Sequence, residues 1–368
     1  MTDIYIHTKD WIENTTPKSD IHDVYKEFYT NETVKYRLPK GDPPQWVDWV
    51  QPPRFGENDK FGKSYVSMIK NGSIWMCDKG EGIVYALTPD HKCLQDMVFH
   101  LYWRYFEKAA FDKIPSATAY HGNLGVLAWA GHSNYWHWLH DVLGRYHLLQ
   151  LSGFKIDKYV LPPLTLPFQR ETVKMLDIPW NKILQLTPGK HLKAENLILP
   201  SVPFNAGTCV KWTVEFLRDS LLKLKSKSHL DSSDSERIYI GRDDASWRKV
   251  ANENTLMELL TKKGFKKVTL SALTVQEQID IFSSAKVILS PNGAGLANIM
   301  FCQPGTKIIQ LFTSTSDEFM KIGQYVGLDY HFVKCRTANP GSKAHEVIQN
   351  LVVDVKKISE ILENEGIN

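Results

Sequence analysis

From Arg237 to Val333 the chain alternates between short apolar runs and amphipathic ones, and this pattern limits the fold more tightly than any other feature. The spacing predicts strands at Arg237–Gly241, Lys266–Leu270, Lys286–Ser290, Lys307–Phe312 and Tyr330–Val333. Between them it predicts helices at Glu253–Lys263, Val275–Ala285, Leu296–Phe301 and Asp317–Val326. Strands that read as unbroken Val/Ile-rich runs are covered on both faces. Strand–helix repetition of this kind makes a parallel sheet with helices on both sides. Ligands of such sheets bind beyond the carboxyl ends of the strands, near the switch in strand order. Four loops therefore matter: Arg242–Asn252, Ser271–Thr274, Pro291–Gly295 and Thr313–Asp317.

One of these loops has the composition of an anion site. In KVILSPNGAGLANIMF a buried strand runs into Pro291-Asn292-Gly293 and then into a short apolar helix opening at Ala294, Gly295 and Leu296. The first turn of a helix has unpaired N–H groups and partial positive charge, and glycine lets a phosphate approach them. A tight turn with no ligand fits the same residues. The loop GRDDASWRKVANE adds Arg242, Arg248 and Lys249 on the same side of the predicted sheet. Guanidinium groups bind phosphate oxygens bidentately, so this loop suits a diphosphate, with Asp243 and Asp244 orienting the arginines. Solvated ion pairs are the plainer alternative.

The first half is less regular. Residues 1–55, rich in Pro, Trp and charge, read as an extended arm packed on a domain, because Trp46, Trp49 and Phe55 argue against disorder. Short strands are expected from about residue 60, a helix at Met97–Ala110, and a buried strand at Leu124–Trp129. A long helix, Asn134–Leu151, follows, capped by Ser133 or Asn134. On it His137, Asp141 and Arg145 fall at i, i+4 and i+8 and share a face. A carboxylate beside a His and an Arg is a candidate general base. The same spacing equally suits an Asp141–Arg145 surface pair. His132, His137, His140 and His147 lack the H-E-x-x-H pattern of a helical zinc site, so no metal is expected there. A polar Ser-rich stretch, residues 225–236, is the best linker. His345–Glu363 reads as a terminal amphipathic helix from Val347, Leu351, Val355, Ile358 and Leu362.

The 368 residues accommodate two ordinary domains, and 43% hydrophobic with 23% charged residues is a globular composition. A formal charge of +3 argues against a dedicated nucleic-acid binder. The N-terminus has no apolar signal segment, and five scattered cysteines fit a reducing cytoplasm. The basic runs Lys223–Lys227 and Lys262–Lys267 suit solvated faces, with peripheral contact to anionic lipid or a charged glycan as the alternative. The chain has no D-x-D, a motif commonly used to hold a nucleotide diphosphate through a divalent cation.

Together these pieces resemble the glycosyltransferase family 61 domain, which includes plant xylan arabinosyl- and xylosyltransferases and animal O-linked N-acetylglucosaminyltransferases. The family's S-R-x-x-A-x-x-R-x-V-x-N-E is met by Arg242, Ala245, Arg248, Val250, Asn252 and Glu253, with Gly241 in place of Ser. Glu277 and Gln278 match its E-Q helix, and Pro291–Asn298 its P-x-G-A-G-L-x-N turn, including Asn298. Pro304–Phe312 matches its next P-G segment. In the first half, Asn134, Tyr135, His137, Trp138, Asp141 and Arg145 match N-Y-x-H-W, an acidic residue and an Arg. The resemblance covers roughly residues 120–335. Departures are Asn292 for His, Gln310 for Glu and Asp141 for Glu. The first two bear on nucleotide contacts and donor choice.

The resemblance implies two Rossmann-like domains facing across a cleft, the GT-B arrangement. Expected boundaries are an arm at 1–55, an acceptor domain at 56–230, a nucleotide-sugar domain at 236–340 and a helix at 343–368 that crosses back to the first domain. It implies an inverting, metal-independent transfer from a nucleotide sugar, UDP-linked by expectation, to a hydroxyl of a glycan or glycoconjugate. Arg242, Arg248, Asn252, Glu277, Asn292, Gly293, Ala294, Gly295, Leu296, Asn298 and Gln310 are then donor-side residues. Asn134, Tyr135, Trp138 and Arg145 line the acceptor side. Asp141 is the leading base and His137 the second. No cofactor is expected beyond the nucleotide sugar itself, and the oligomeric state is not readable. The rivals are a glycan-binding scaffold that keeps the fold and a dinucleotide oxidoreductase. The second fares poorly, because its Gly-rich turn belongs after the first strand of the unit.

Overall fold

A computed structural model describes residues 5–30, 33–46, 55–56, 58–60, 63–78, 82–98, 114–203, 209–223, 236–343 and 345–368. Most of the expected Met97–Ala110 helix lies outside the described residues, as do Trp49, residues 225–235 of the Ser-rich linker, and with them Lys225 and Lys227 of the first basic run. The chain divides into two compact units. Residues 1–33, 60–206 and 215–217 form one, and 34–59, 207–214 and 218–368 the other. No described helix is long and apolar enough to cross a membrane.

The first unit is built on a mixed sheet. Strand Thr118–Val126 lies parallel to Lys158–Leu161 on one side and to His191–Pro200 on the other, and Lys158–Leu161 continues to Ile183–Gln185. Numbered along the chain, these four strands run 3-2-1-4 across the sheet, the order of a Rossmann half. A helical stretch spanning Tyr135–Ser152 connects the first pair of strands, and Pro167–Met175 the second. The rest of the sheet is antiparallel, apart from the edge strand Tyr5–Ile6, which lies parallel to Cys93–Leu94. Ser64–Lys70 and Ser73–Met76 both pair with His191–Pro200, and Val84–Leu87 pairs with Ser73–Met76. The segments between these strands are too short for helical crossovers, so parallel pairing is not open to them. The Rossmann-like reading thus describes residues 118–200 and not the whole unit.

The second unit carries a fully parallel sheet. Lys266–Val268, Arg237–Ile240, Val287–Pro291, Lys307–Phe312 and Asp329–Lys334 lie in the order 2-1-3-4-5, with Lys40–Gly41 added at the far edge. The switch in order falls between the first and third of these strands. The core on one face joins Tyr239, Val287, Leu289, Ile309 and Leu311 to Leu256 and Leu260 of helix Glu253–Lys262 and to Ile358 and Leu362.

The last two side chains correct an expectation. Residues 345–363 do not form one helix. Glu346–Ile348 is a single 3-10 turn, Leu351–Val352 is a strand paired with Arg336–Thr337, and the helix is Val355–Asn364. Extended pairing wins over the helical period for a reason visible in the backbone. Leu351 exchanges hydrogen bonds with Lys249 and Ala251, and the Asn252 amide clamps both backbone groups of Val353. Asp354 then caps the new helix, accepting from the Lys357 N–H at 3.1 Å. The helix packs on the core of the second unit.

Helix Val275–Ser284 begins with a reciprocal cap. Thr274 Oγ1 accepts from the Glu277 N–H at 3.2 Å, and Glu277 Oε2 accepts from the Thr274 N–H at 2.8 Å. Thr274→Ala should destabilise the protein by about 1 kcal/mol in urea unfolding, with nucleotide affinity unchanged.

Candidate functional site

The switch in the second sheet brings together the two loops picked out by the sequence. Arg242 directly follows Gly241 at the end of the first strand, and Gly293 lies two residues beyond the end of the third. A β-carbon placed on Gly293 would lie 1.8 Å from Arg242 Nη1, so the guanidinium sits directly over the glycine. Only a residue without a side chain admits that approach. The 3-10 helix Ala294–Phe301 starts there.

Both arginines are set up to receive an anion. Arg242 Nε donates to the Trp247 carbonyl at 3.0 Å, which leaves its terminal nitrogens over the glycine. Burial, and next the repulsion of Arg248, push its pKa down to about 10. Burial lowers that of Arg248 as well. Arg248 takes a left-handed φ of 60°, costly for a side-chain-bearing residue, and its Nε is closed off from water without a hydrogen-bond partner. Two guanidinium groups that are partly desolvated and repel one another gain most from a shared anionic ligand.

The acidic neighbours do not orient the arginines as expected. Asp243 pairs with Lys267 at 2.8 Å, and Asp244 accepts from the Ser271 N–H at 3.3 Å. Each carboxylate finds a partner on the neighbouring strand or the loop after it.

Other donor-side candidates brace the loops. Asn252 is tied to Val353, and Glu277 to its helix cap. Asn298 is buried and donates to Gln278 Oε1, whose amide in turn holds the Leu270 and Leu273 carbonyls. Gln310 is buried, donating to Thr315 Oγ1 and accepting from Tyr330 Oη at 2.6 Å. Asn292 lies in the turn with its backbone N–H on Leu311, while its buried Oδ1 has no partner. Gly295 packs closely against Leu270, and Leu296 and Ala297 are buried.

Two residues with the same signature were not singled out in the sequence, although Ser314 lies in the Thr313–Asp317 loop. Ser314 Oγ and Glu318 Oε2 are also closed off and unpartnered. They lie after the fourth strand, at the same end of the sheet as Arg248 and Asn292. In the sequence, STSDEF resembles an ordinary helix start with acidic residues in its first turn, which hides them.

The first unit has its own polar constellation at its own switch in strand order. Arg145 is buried and donates to the carbonyls of Ala128 and Pro200, at the ends of the first and fourth strands of the parallel group. Its expected surface pairing with Asp141 is therefore replaced by a buried role, stacked against Trp129 at 5.6 Å. Asp141 is fully buried within a π-helical turn, Trp138–Leu143, of the kind that often marks functional sites. Its Oδ2 accepts from His137 Nδ1 at 2.6 Å, and its Oδ1 has no partner. The His137 side chain is 23% exposed against 0% for Asp141. Gly131, beside the imidazole, adopts φ 76°, the left-handed region that favours glycine. His140 is buried against Trp136, and burial, then the nearby His137, pushes its pKa down to about 3. It stays neutral. Asn134 caps the helix through the Trp136 N–H, Tyr135 packs edge-on against Phe168, and Trp138 Nε1 donates to Thr172.

Among the described residues one group has the spacing of a metal site: Asp329, His331 and Glu365. It lies at the opposite, amino-terminal end of the second sheet. Lys40 and Lys307 each bridge Asp329 and Glu365, so two ammonium groups already neutralise the carboxylates.

Residues 135–309 match the model of the family described as Glycosyltransferase 61. That span opens on the helix of His137 and Asp141 and takes in Arg242, Arg248 and the Gly293 turn. No curated protein matches the chain.

Proposed function

We propose, for a chain that belongs to glycosyltransferase family 61 over residues 135–309, an inverting transfer from a nucleotide sugar to a hydroxyl of a glycan or glycoconjugate. The family supports glycosyltransferase activity and, in general terms, a nucleotide sugar and an acceptor as substrates. The observation that carries the finer reading is the Arg242 guanidinium seated over Gly293 at the switch in the second sheet. In this proposal the second unit binds the donor, UDP-linked, and the first binds the acceptor, the division of labour of a GT-B enzyme.

Arg242, Arg248 and the N–H groups at Gly293–Gly295 stabilise the charge that grows on the leaving diphosphate, while the expected Leu296 N–H closes the turn on the Gly293 carbonyl at 2.9 Å. Asn252, Glu277, Asn298 and Gln310 hold those loops in shape. The absence of D-x-D and the paired arginines support a metal-independent reaction. The acceptor oxygen attacks the anomeric carbon in line, the bond to the diphosphate breaks, and one base takes the hydroxyl proton.

The geometry favours His137 as that base, ahead of Asp141. With Nδ1 held by the buried carboxylate, the partly exposed imidazole takes the proton on Nε2, and Asp141 stabilises the resulting imidazolium. The scattered cysteines of the chain suit action in the cytoplasm, with peripheral contact at the inner membrane face as the alternative to solvated basic runs.

Isothermal titration against UDP, GDP and CMP, with and without EDTA, tests the donor reading. UDP should bind in the micromolar range and EDTA should change nothing. Activity lost in EDTA and restored by manganese would overturn the metal-independent step.

A further inference from the structure

We propose that Glu318 governs whether Arg248 is available to a bound diphosphate, so that donor binding takes up a proton. The inference rests on the donor site proposed above and concerns a residue that neither the sequence motifs nor that proposal uses.

Four observations carry it. Glu318 and Arg248 lie on different loops at the same end of the second sheet, after the fourth and first strands. Each has a buried polar atom with no partner, Oε2 of the acid and Nε of the base. The other oxygen of Glu318 is pinned by Ser316 Oγ, which donates to Oε1 at 2.6 Å. The two charges also act on each other, since Glu318 raises the pKa of Arg248 and Arg248 lowers that of Glu318.

An ionised Glu318, buried at the same end of the sheet and acting on Arg248 through its charge, would be expected to compete with a ligand for its unpartnered N–H. A neutral one leaves it for a ligand. The surroundings favour the neutral acid. Burial is the largest influence and pushes the Glu318 pKa up to about 7, opposed by Ser316 and reinforced by Asp317. Asp317 is itself paired with Lys321 at 2.6 Å. The titratable groups that reach Glu318 from other elements are Arg248, Tyr330 of the fifth strand and Cys209 before helix Lys211–Leu221. The 3-10 helix packed alongside, Ala294–Phe301, has no charged residue. Arg248 is thus a cation from another element that senses Glu318.

The sign follows. Below the Glu318 pKa the acid is neutral and Arg248 turns to the phosphates. Above it the carboxylate both pairs with Arg248 and repels the diphosphate. Because a bound diphosphate favours the neutral acid, ligand binding raises the Glu318 pKa further.

Titration calorimetry with UDP and with inorganic pyrophosphate, from pH 5.5 to 8.5, tests this on the full chain. Both ligands titrate in that range, so the informative quantity is the ratio of Kd for the wild type to Kd for Glu318→Gln, in which the ligand's own titration cancels. The ratio should rise by up to about tenfold across the range, the rise setting in near pH 7 and continuing above it. Ser316→Ala removes a hydrogen bond that lowers the pKa, so it should move the midpoint to higher pH. A ratio that stays flat while Arg242→Ala still weakens binding would overturn the role of Glu318 and leave the donor site standing. Failure of both ligands to bind the wild type at any pH would overturn the site and this inference with it.

Discussion

Replacing His137 with alanine is expected to lower kcat by roughly 10²- to 10⁴-fold and to leave the affinity for UDP unchanged. The size of the effect comes from the loss of a positioned proton acceptor, not from unfolding. His137 is partly exposed, and its contacts include Asp141 and the edge of the Trp136 ring at 5.0 Å. Asp141→Asn should cost about 10²-fold or more by a different route. An amide that presents its NH₂ to Nδ1 forces the proton onto Nε2, the wrong tautomer for a base. Two measurements separate the roles. Added imidazole should restore part of the activity of His137→Ala and none of that of Asp141→Asn. The fall in kcat on the acid side of the pH profile should disappear in His137→Ala. If His137→Ala keeps activity within tenfold of wild type while Asp141→Asn does not, the carboxylate is the base and the imidazole an accessory.

The order of preference between these two residues shows where the sequence stops being informative. The i, i+4 spacing places His137 and Asp141 together but does not say which one reaches solvent. Burial is set by residues far away in the chain. Arg145 illustrates this, since its partners are carbonyls of Ala128 and Pro200, the second 55 residues away. The second unit was more legible. Its strands and helices follow the local period closely because a parallel sheet covered on both faces needs nearly unbroken apolar runs. Its strand order is not a local property, and that order puts Arg242 over Gly293. The Lys40–Gly41 edge strand has no signal of its own, being two residues of polar and flexible character that pair only because the fifth strand offers an open edge. The terminal segment misleads for the opposite reason. Its Val and Leu residues fit a helical period, yet Leu351 and Val353 are held extended by the loop at Lys249–Asn252.

Gly293→Ala should separate the shape of the donor site from the stability of the fold. The backbone at Gly293 is extended, at φ 174° and ψ 160°, which any residue adopts. The nearest obstacles to a β-carbon are all guanidinium atoms of Arg242, led by Nη1 at 1.8 Å, the far end of a flexible side chain. The arginine can swing away, so the melting temperature should change by only a few degrees, corresponding to less than about 1 kcal/mol. Once displaced, the guanidinium no longer reaches the phosphates. Loss of charge-assisted hydrogen bonds of about 1.5–3 kcal/mol predicts a 10- to 100-fold weaker UDP affinity. Loss of stabilisation of the leaving group adds a fall in kcat of roughly 10²- to 10³-fold. Arg242→Ala should give the same pattern. The double variant should be no worse than either single one, because both changes remove the same interaction. Additive losses would mean that glycine and arginine serve the nucleotide separately. A Gly293→Ala protein that binds UDP as tightly as wild type would show that the anion is held elsewhere in the unit.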